Sequence, residues 1–187
     1  ADQALKLLGI AIEKETYINF SLNTKYDPTY LTVEPHIKDP SFMEVHNLLQ
    51  FPYATNDNSV IMELLIQDVD IVLRHVNSKV NRISANGVSV ISDDLDMATV
   101  RIEFEDKRVA NFTSSRVSMK KLHKIRFFQQ DTYISIAFDS SEVEVVKISD
   151  YNKEEEDPFA MVVDVGKNKG FKKFSFDKPE TKQINTF

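Results

Sequence analysis

Cysteine is absent from the 187 residues, which excludes disulfide frameworks, thiolate metal sites and cysteine nucleophiles. The absence also agrees with a cytoplasmic compartment, where disulfides are rare. An excess of positive charge is missing too: 23 Lys and Arg stand against 29 Asp and Glu, for a net charge of −6. Nucleic-acid binding rests on neutralising phosphates, so that balance argues against it. It leaves room for a small anionic ligand in a local basic pocket. The first residues, Ala1 to Lys6, have neither the basic start nor the long apolar stretch of a signal peptide. No apolar run approaches the ~20 residues of a membrane span, so a soluble chain without membrane contact is expected. The four histidines, His36, His46, His75 and His123, lie on different segments without metal-ligand spacing. No metal site is expected, and each reads as a surface or hydrogen-bonded structural residue.

What is present is a core-forming composition: 42% hydrophobic residues, thirteen of them Phe, in a chain long enough for one good-sized core. Ala4, Leu5, Leu8, Ala11 and Ile12 recur at helical spacing, although Gly9 weakens that helix by up to ~1 kcal/mol. Tyr17 to Leu22 reads as a short strand. Asp27-Pro28 is a helix start, with Asp as N-cap and Pro at the first helical position, and Pro35 ends it. Ser41 to Leu49 reads as a strand with Phe42, Val45 and Leu48 as its apolar content. The clearest helix is Asn58 to Val76, capped by Asn58 or Ser59. Val60, Ile61, Leu64, Leu65, Val69, Val72, Leu73 and Val76 form its apolar face. Its polar residues Glu63, Gln67, Asp70 and Arg74 fall on one stripe.

Beyond this helix the pattern is strand-like. Val80 to Ile91 is β-rich around Asn86-Gly87, which is a turn or a bulge. Val100, Ile102 and Phe104 alternate, Asp106-Lys107 turns the chain, and Val109 to Val117 returns. Ile134, Ile136 and Phe138 alternate again, Asp139-Ser140-Ser141 turns, and Val143, Val145 and Ile148 follow. Lys153 to Asp157 is a charged loop, and Phe159 to Val165 and Phe171 to Phe176 supply two more strands. Short turns imply antiparallel pairing. The expected fold is α+β: an open, mainly antiparallel β-sheet with helices packed on one face. The uncovered face, supplied by alternating residues such as Val100, Ile102, Phe104 or Ile134, Ile136, Phe138, is expected to meet another copy of the chain as a homodimer or homotetramer.

Three stretches resemble the glucose–fructose oxidoreductase/inositol dehydrogenase/MocA-like family. Phe51 to Ile71 resembles its helix V-x-D-L-M-I-H-D-I-D-I, Arg101 to Ser118 resembles R-I-E-F-E-N-G-x-V-A-N-L-T-A-S-R, and Arg126 to Ile134 resembles R-x-F-x-x-D-x-Y-I. Asn23 to Pro28 is a weaker echo of G-H-x-E-R-F-N-P. The resemblance implies the substrate-binding and oligomerisation domain of an NAD- or NADP-dependent oxidoreductase acting on a sugar or nucleotide sugar. It implies residues 1–22 as the end of a nucleotide-binding Rossmann domain and 23–187 as the sheet domain. The chain has four Gly and no G-x-G-x-x-G turn, so no cofactor is expected on this chain alone.

In that family an Asp and a His four residues apart form the acid/base pair. Glu63 and Gln67 occupy these positions, and a Gln amide has no pKa near neutrality with which to take a proton. Leu22, Lys25, Asp27 and Ala54 stand where the family has His, Arg, Asn and Arg. The candidate site is therefore Glu63 and Gln67 for chemistry, with Lys25, Asp27, Asp70 and Arg116 for substrate. Arg116, Lys120, Lys121, Lys124 and Arg126 form the one basic cluster, a solvated strand connection or a diphosphate pocket. Three functions follow: the substrate half of a working oxidoreductase, a catalytically decayed relative serving as a binding or assembly module, or an unrelated α+β ligand-binding domain.

Overall fold

The computed structural model describes residues 2–18, 22–50, 59–150, 163–164 and 169–176. The helices are α1 (Asp2–Glu13), α2 (Pro28–Val33) and α3 (Ile66–Arg74), the last preceded by a π-helical turn at Ile61–Leu65. Nine strands follow the chain as β1 (Phe42–Gln50), β2 (Val80–Val88), β3 (Met97–Phe104), β4 (Val109–Ser118), β5 (Leu122–Gln129), β6 (Thr132–Ala137), β7 (Glu142–Asp150), β8 (Val163–Asp164) and β9 (Lys169–Phe176). They form one open sheet in the order β2-β3-β4-β1-β5-β6-β7-β9-β8. The α+β expectation holds.

The first strand in sequence lies in the middle of the sheet. β1 pairs parallel with β4, Val45 opposite Phe112, and antiparallel with β5, Val45 opposite Ile125. Every other pairing is antiparallel. The alternation of β1 places Met43, Val45 and Asn47 in the core, so Phe42 and Leu48 face the other side.

Asp27 accepts from the Thr29 amide at 2.8 Å, which starts α2 where the sequence indicated. Helix α2 turns Tyr30 and Val33 onto the sheet, and α3 brings Ile71 and Val72. They meet Ile102, Phe104, Phe112, Ile125, Phe127, Ile134 and Ile136 in one continuous core. Tyr30 Oη also meets His75 Nε2 at 2.8 Å and donates to Glu34 at 3.2 Å, tying α2 to the end of α3. Burial first, then the Glu34 charge, pushes the Tyr30 phenol up to about 12.

Several local expectations change. Tyr17, Ile18 and Leu22 have no strand pairing, and residues 19–21 lie outside the described residues, as do Asn58, Lys153–Asp157 and most of Phe159–Val165. Asn86-Gly87 is neither turn nor bulge. β2 runs straight through it, Gly87 opposite Ala98, and a Cβ at Gly87 would come within 2.8 Å of the Leu95 side chain. The register shift lies instead between Val80 and Arg82. Leu73, expected on the apolar face of its helix, is largely exposed. Val100, Ile102, Phe104, Ile134 and Ile136 do not line the open face; they point at the helices. The open face carries the other set of side chains, and at its centre these are polar.

Candidate functional site

The polar stripe of the long helix is half-buried at Glu63, Gln67 and Asp70 and exposed at Arg74. It runs along the 3₁₀ turn Asn23–Tyr26 that precedes α2. Ser59 starts the helix: its carbonyl accepts from the Met62 and Glu63 amides at 2.9 and 3.1 Å, and its hydroxyl accepts from Ile61. The turn then widens to π-helical geometry through Leu65 before the ordinary ladder begins. Such widened turns shift the angular phase of the residues they contain, and they recur at functional sites.

Gln67 stands where the ladder changes. Thr24 Oγ1 donates to its Oε1 at 2.8 Å, and its Nε2 donates to the Glu63 carbonyl at 3.1 Å. Both ends of the amide are thereby held by the chain itself. Glu63 is half-buried, and its carboxylate makes no hydrogen bond among the described residues. One turn further on, Asp70 forms an ion pair with Lys25 at 3.6 Å. That separation is too long for a hydrogen bond. Asp70 Oδ2 is buried and has no hydrogen-bond partner among the described residues, and Lys25 Nζ also lies 5.4 Å from the centroid of the Tyr26 ring. Arg74 closes the stripe with Glu34 at 3.7 Å.

Glu63, Gln67, Lys25 and Asp70 are thus brought together as one cluster. Asp27 sits beside them, but one of its carboxylate oxygens caps α2. Arg116 is elsewhere. Its Nε donates to the buried Asp96 at 2.8 Å and a terminal nitrogen donates to the exposed Ser92 at 2.7 Å, at the far end of β4. The amides of Ile91, Ser92 and Val90 also converge on Asp96 and hold its carboxyl well below the usual carboxylate range. The rest of the basic cluster disperses. Strand alternation sends Lys124 and Arg126 to the open face, where Arg126 donates to Glu44 at 2.6 Å, and Lys121 pairs with Asp139 at 3.0 Å. No diphosphate pocket forms from these residues.

Sequence reasoning passed over Asp68, although it touches the cluster through its neighbour Gln67. It is completely buried, with Oδ2 accepting from Asn47 Nδ2 at 2.9 Å and Oδ1 2.7 Å from His123 Nε2. The His123 ring stacks on Phe138 with centroids 4.4 Å apart. An Asp inside an apolar run is the signal that was available, because a carboxylate is almost never fully buried without partners. Its partners lie 21 and 55 residues away, and no spacing rule reaches that far. No group of three or more potential metal ligands occurs among the described residues, and none of their helices is long and apolar enough to cross a membrane.

The fold and this cluster define an open-sheet α+β domain with a charged cluster on its helical side. No family model matches the chain. Over 139 residues, 73% of its length and 44% of the relative's, it is 30% identical to the UDP-N-acetylglucosamine 3-dehydrogenase of Acidithiobacillus ferrooxidans. A structure of that enzyme superposes with a TM-score of 0.72 at 27% identity, covering 78% of this chain and 48% of that one. The WlbA dehydrogenase of Bordetella pertussis, solved with NADH and UDP-GlcNAcA, gives a TM-score of 0.62 at 10% identity over 73% of this chain and 48% of that one, a likeness of fold alone. The chain belongs to the glucose–fructose oxidoreductase/inositol dehydrogenase/MocA-like oxidoreductases. It spans about half the length of the relatives it matches.

Proposed function

We propose that this chain is the substrate-binding and assembly part of an NAD(P)-dependent oxidoreductase for a nucleotide sugar, with residues 23–187 as the sheet domain and 1–22 as the end of the nucleotide-binding domain. Self-association through the open sheet face is part of this reading, as is a cytoplasmic setting. The observation that carries it is the buried Asp70 Oδ2, an acceptor without a donor, beside the Lys25 ammonium. A buried carboxylate oxygen left without a hydrogen bond costs ~1–3 kcal/mol, and a sugar hydroxyl can donate to it while accepting from Lys25. The Glu63 carboxylate on the same stripe, without a hydrogen bond among the described residues, offers a second acceptor to a neighbouring hydroxyl.

In this reading the nicotinamide is held by the other half of the protein and supplies the hydride chemistry. This chain's residues bind and orient the sugar. Gln67 can donate or accept a hydrogen bond but cannot remove a proton. Glu63, if any residue of the cluster, takes the carbinol proton. A second reading has a specific observation behind it: both ends of the Gln67 amide are occupied by Thr24 and by the Glu63 carbonyl. That arrangement suits a structural residue in a decayed site whose domain serves binding or assembly.

Saturation-transfer NMR of this chain with UDP-N-acetylglucosamine separates the two. Transfer to the sugar protons that weakens several-fold in Asp70→Asn and Lys25→Met supports the substrate role. Absence of transfer at millimolar ligand, or transfer unaffected by both substitutions, overturns it in favour of the assembly module.

A further inference from the structure

One of the four histidines is held as a carboxylate–imidazole pair. His123 Nε2 lies 2.7 Å from Oδ1 of the completely buried Asp68. A carboxylate only accepts hydrogen bonds, so Nε2 carries the proton and Nδ1 keeps its lone pair. Nδ1 has no hydrogen-bond partner among the described residues, yet it is not a buried unpaired atom, as Asp70 Oδ2 and Ser114 Oγ are. It therefore opens to solvent from a side chain that is only 15% exposed. The ring is clamped as well. It stacks on Phe138 at an interplanar angle of 26°, its backbone amide donates to Asp139, and its carbonyl accepts from the Phe138 amide at 2.9 Å. His75 has no such freedom, because its Nε2 is taken by the Tyr30 hydroxyl.

The pair stands next to the candidate site. Asp68 follows Gln67, about 100° round the helix and ~1.5 Å along it. Gln67 cannot take a proton, and both ends of its amide are occupied. An imidazole can take a proton and return it. The sheet beneath is polar at this level only. Ser114, Asn47 and His123 lie in one register across β4, β1 and β5, and Asn47 holds the other oxygen of Asp68 at 2.9 Å. Two residues away on the same strands the row is Phe112, Val45 and Ile125, all apolar and buried. Apolar side chains of that kind suffice to pin α3 to the sheet, whereas a buried carboxylate carries a desolvation cost. Such a cost is expected where one group must hold a reactive one in place.

We infer that His123 Nδ1 faces the bound sugar and takes the proton of the hydroxyl being oxidised, with Asp68 as the positioning residue that fixes its tautomer. The inference rests on the substrate-binding reading above and names a proton acceptor beyond its cluster. In this step the hydroxyl O–H bond breaks and its proton joins Nδ1. The electron pair left on oxygen forms the C=O bond. The carbinol C–H bond breaks, and its hydride passes to the oxidised nicotinamide held by the other half of the protein. The imidazolium is stabilised by the Asp68 carboxylate at 2.7 Å, and it gives up its proton to solvent or returns it in the reverse reaction.

The test begins with the parent chain, so it does not depend on a variant that folds. Long-range ¹H–¹⁵N NMR of the His123 ring should show a proton on Nε2 and none on Nδ1. Adding UDP-N-acetylglucosamine should shift the Nδ1 resonance toward that of a hydrogen-bonded nitrogen. Carbethoxylation of His123 by diethyl pyrocarbonate, read by mass spectrometry, should slow about tenfold with the ligand at ten times its Kd, because about a tenth of the sites then stay free. The exposed His36 should slow less than about twofold. In Asp68→Asn the Nδ1–H tautomer should appear and the ligand-induced shift should be lost, while saturation transfer to the sugar persists; an unchanged shift overturns the role of Asp68. Three results overturn the inference and leave the substrate reading standing: a proton on Nδ1 in the free chain, or saturation transfer to the sugar with either an unmoved Nδ1 or an unprotected His123. Absence of transfer at millimolar ligand overturns both together.

Discussion

Replacing Asp68 with Ala removes a completely buried carboxylate, and its cost can be worked from its contacts. The carboxylate is completely buried, and its two oxygens are taken by Asn47 Nδ2 at 2.9 Å and His123 Nε2 at 2.7 Å. Hydrogen bonds to a charged group are worth ~1.5–3 kcal/mol each, and stranding the buried Asn47 amide adds ~1–3 kcal/mol. Relief of the desolvation that the carboxylate suffers offsets several kcal/mol of this. The net expectation is a loss of ~2–4 kcal/mol. Asp68→Asn should cost about half as much, because Asn47 can reverse its amide and keep one bond to each neighbour. Replacing both groups, Asn47→Leu with Asp68→Leu, should be better tolerated than Asp68→Ala, since the buried Asn47 amide is then not stranded and only the part-buried His123 Nε2 loses its partner. Urea titration of the parent and the three variants measures this through the midpoint at constant slope. A loss under ~0.5 kcal/mol in Asp68→Ala, or a double replacement worse than the single, refutes the reasoning. The outcome bears on the site as well. Asp68 fixes the helix against β1 and β5, so its loss should also weaken the contact of neighbouring Gln67 with Thr24.

His75 supplies a pH signature. Burial above all, with Arg74 adding to it and Glu34 opposing, lowers its pKa from the ordinary 6.5, so the folded state prefers the neutral ring. Stability should be full above that value and fall as pH drops through it toward the lower folded value, because the unfolded chain takes up the proton first. His75→Gln should flatten this dependence in urea titrations about one unit either side of 6.5; an unchanged slope contradicts the assignment. Lys107 sits in a left-handed turn with φ 71°, which costs an L-residue ~1–2 kcal/mol. Lys107→Gly should therefore gain ~0.5–1 kcal/mol after the unfolded-state entropy of glycine is deducted, about 2–4 °C in melting temperature, and a lowered melting temperature would contradict this.

Much of the local structure was legible because local rules suffice for it. The Asp27-Pro28 start needs only a cap and a fixed φ. The alternation of β3 and β6 needs only a sheet with one wet and one dry face. Local rules failed where a distant group decides. Gly87 sits inside a straight strand beside the Leu95 side chain rather than in a turn. Leu73 is apolar and yet exposed, in a helix that a π-turn at Ile61–Leu65 precedes.

The same division runs through the candidate site. The stripe Glu63, Gln67, Asp70 was readable from helix spacing, and Lys25 from the motif echo before α2. Arg116 had the right residue type in the right motif, yet it is held by Asp96, twenty residues back. By itself the sequence determined the class of fold and the helix that presents the cluster. Only the tertiary structure decided that β1 enters the sheet between β4 and β5, that Asp68 is buried against Asn47 and His123, and that the open face is polar where the alternating apolar residues had been expected. The reason is physical. Side-chain alternation fixes that a strand has two faces, but which face is dry depends on where the helices pack, and that is set by contacts between residues tens of positions apart.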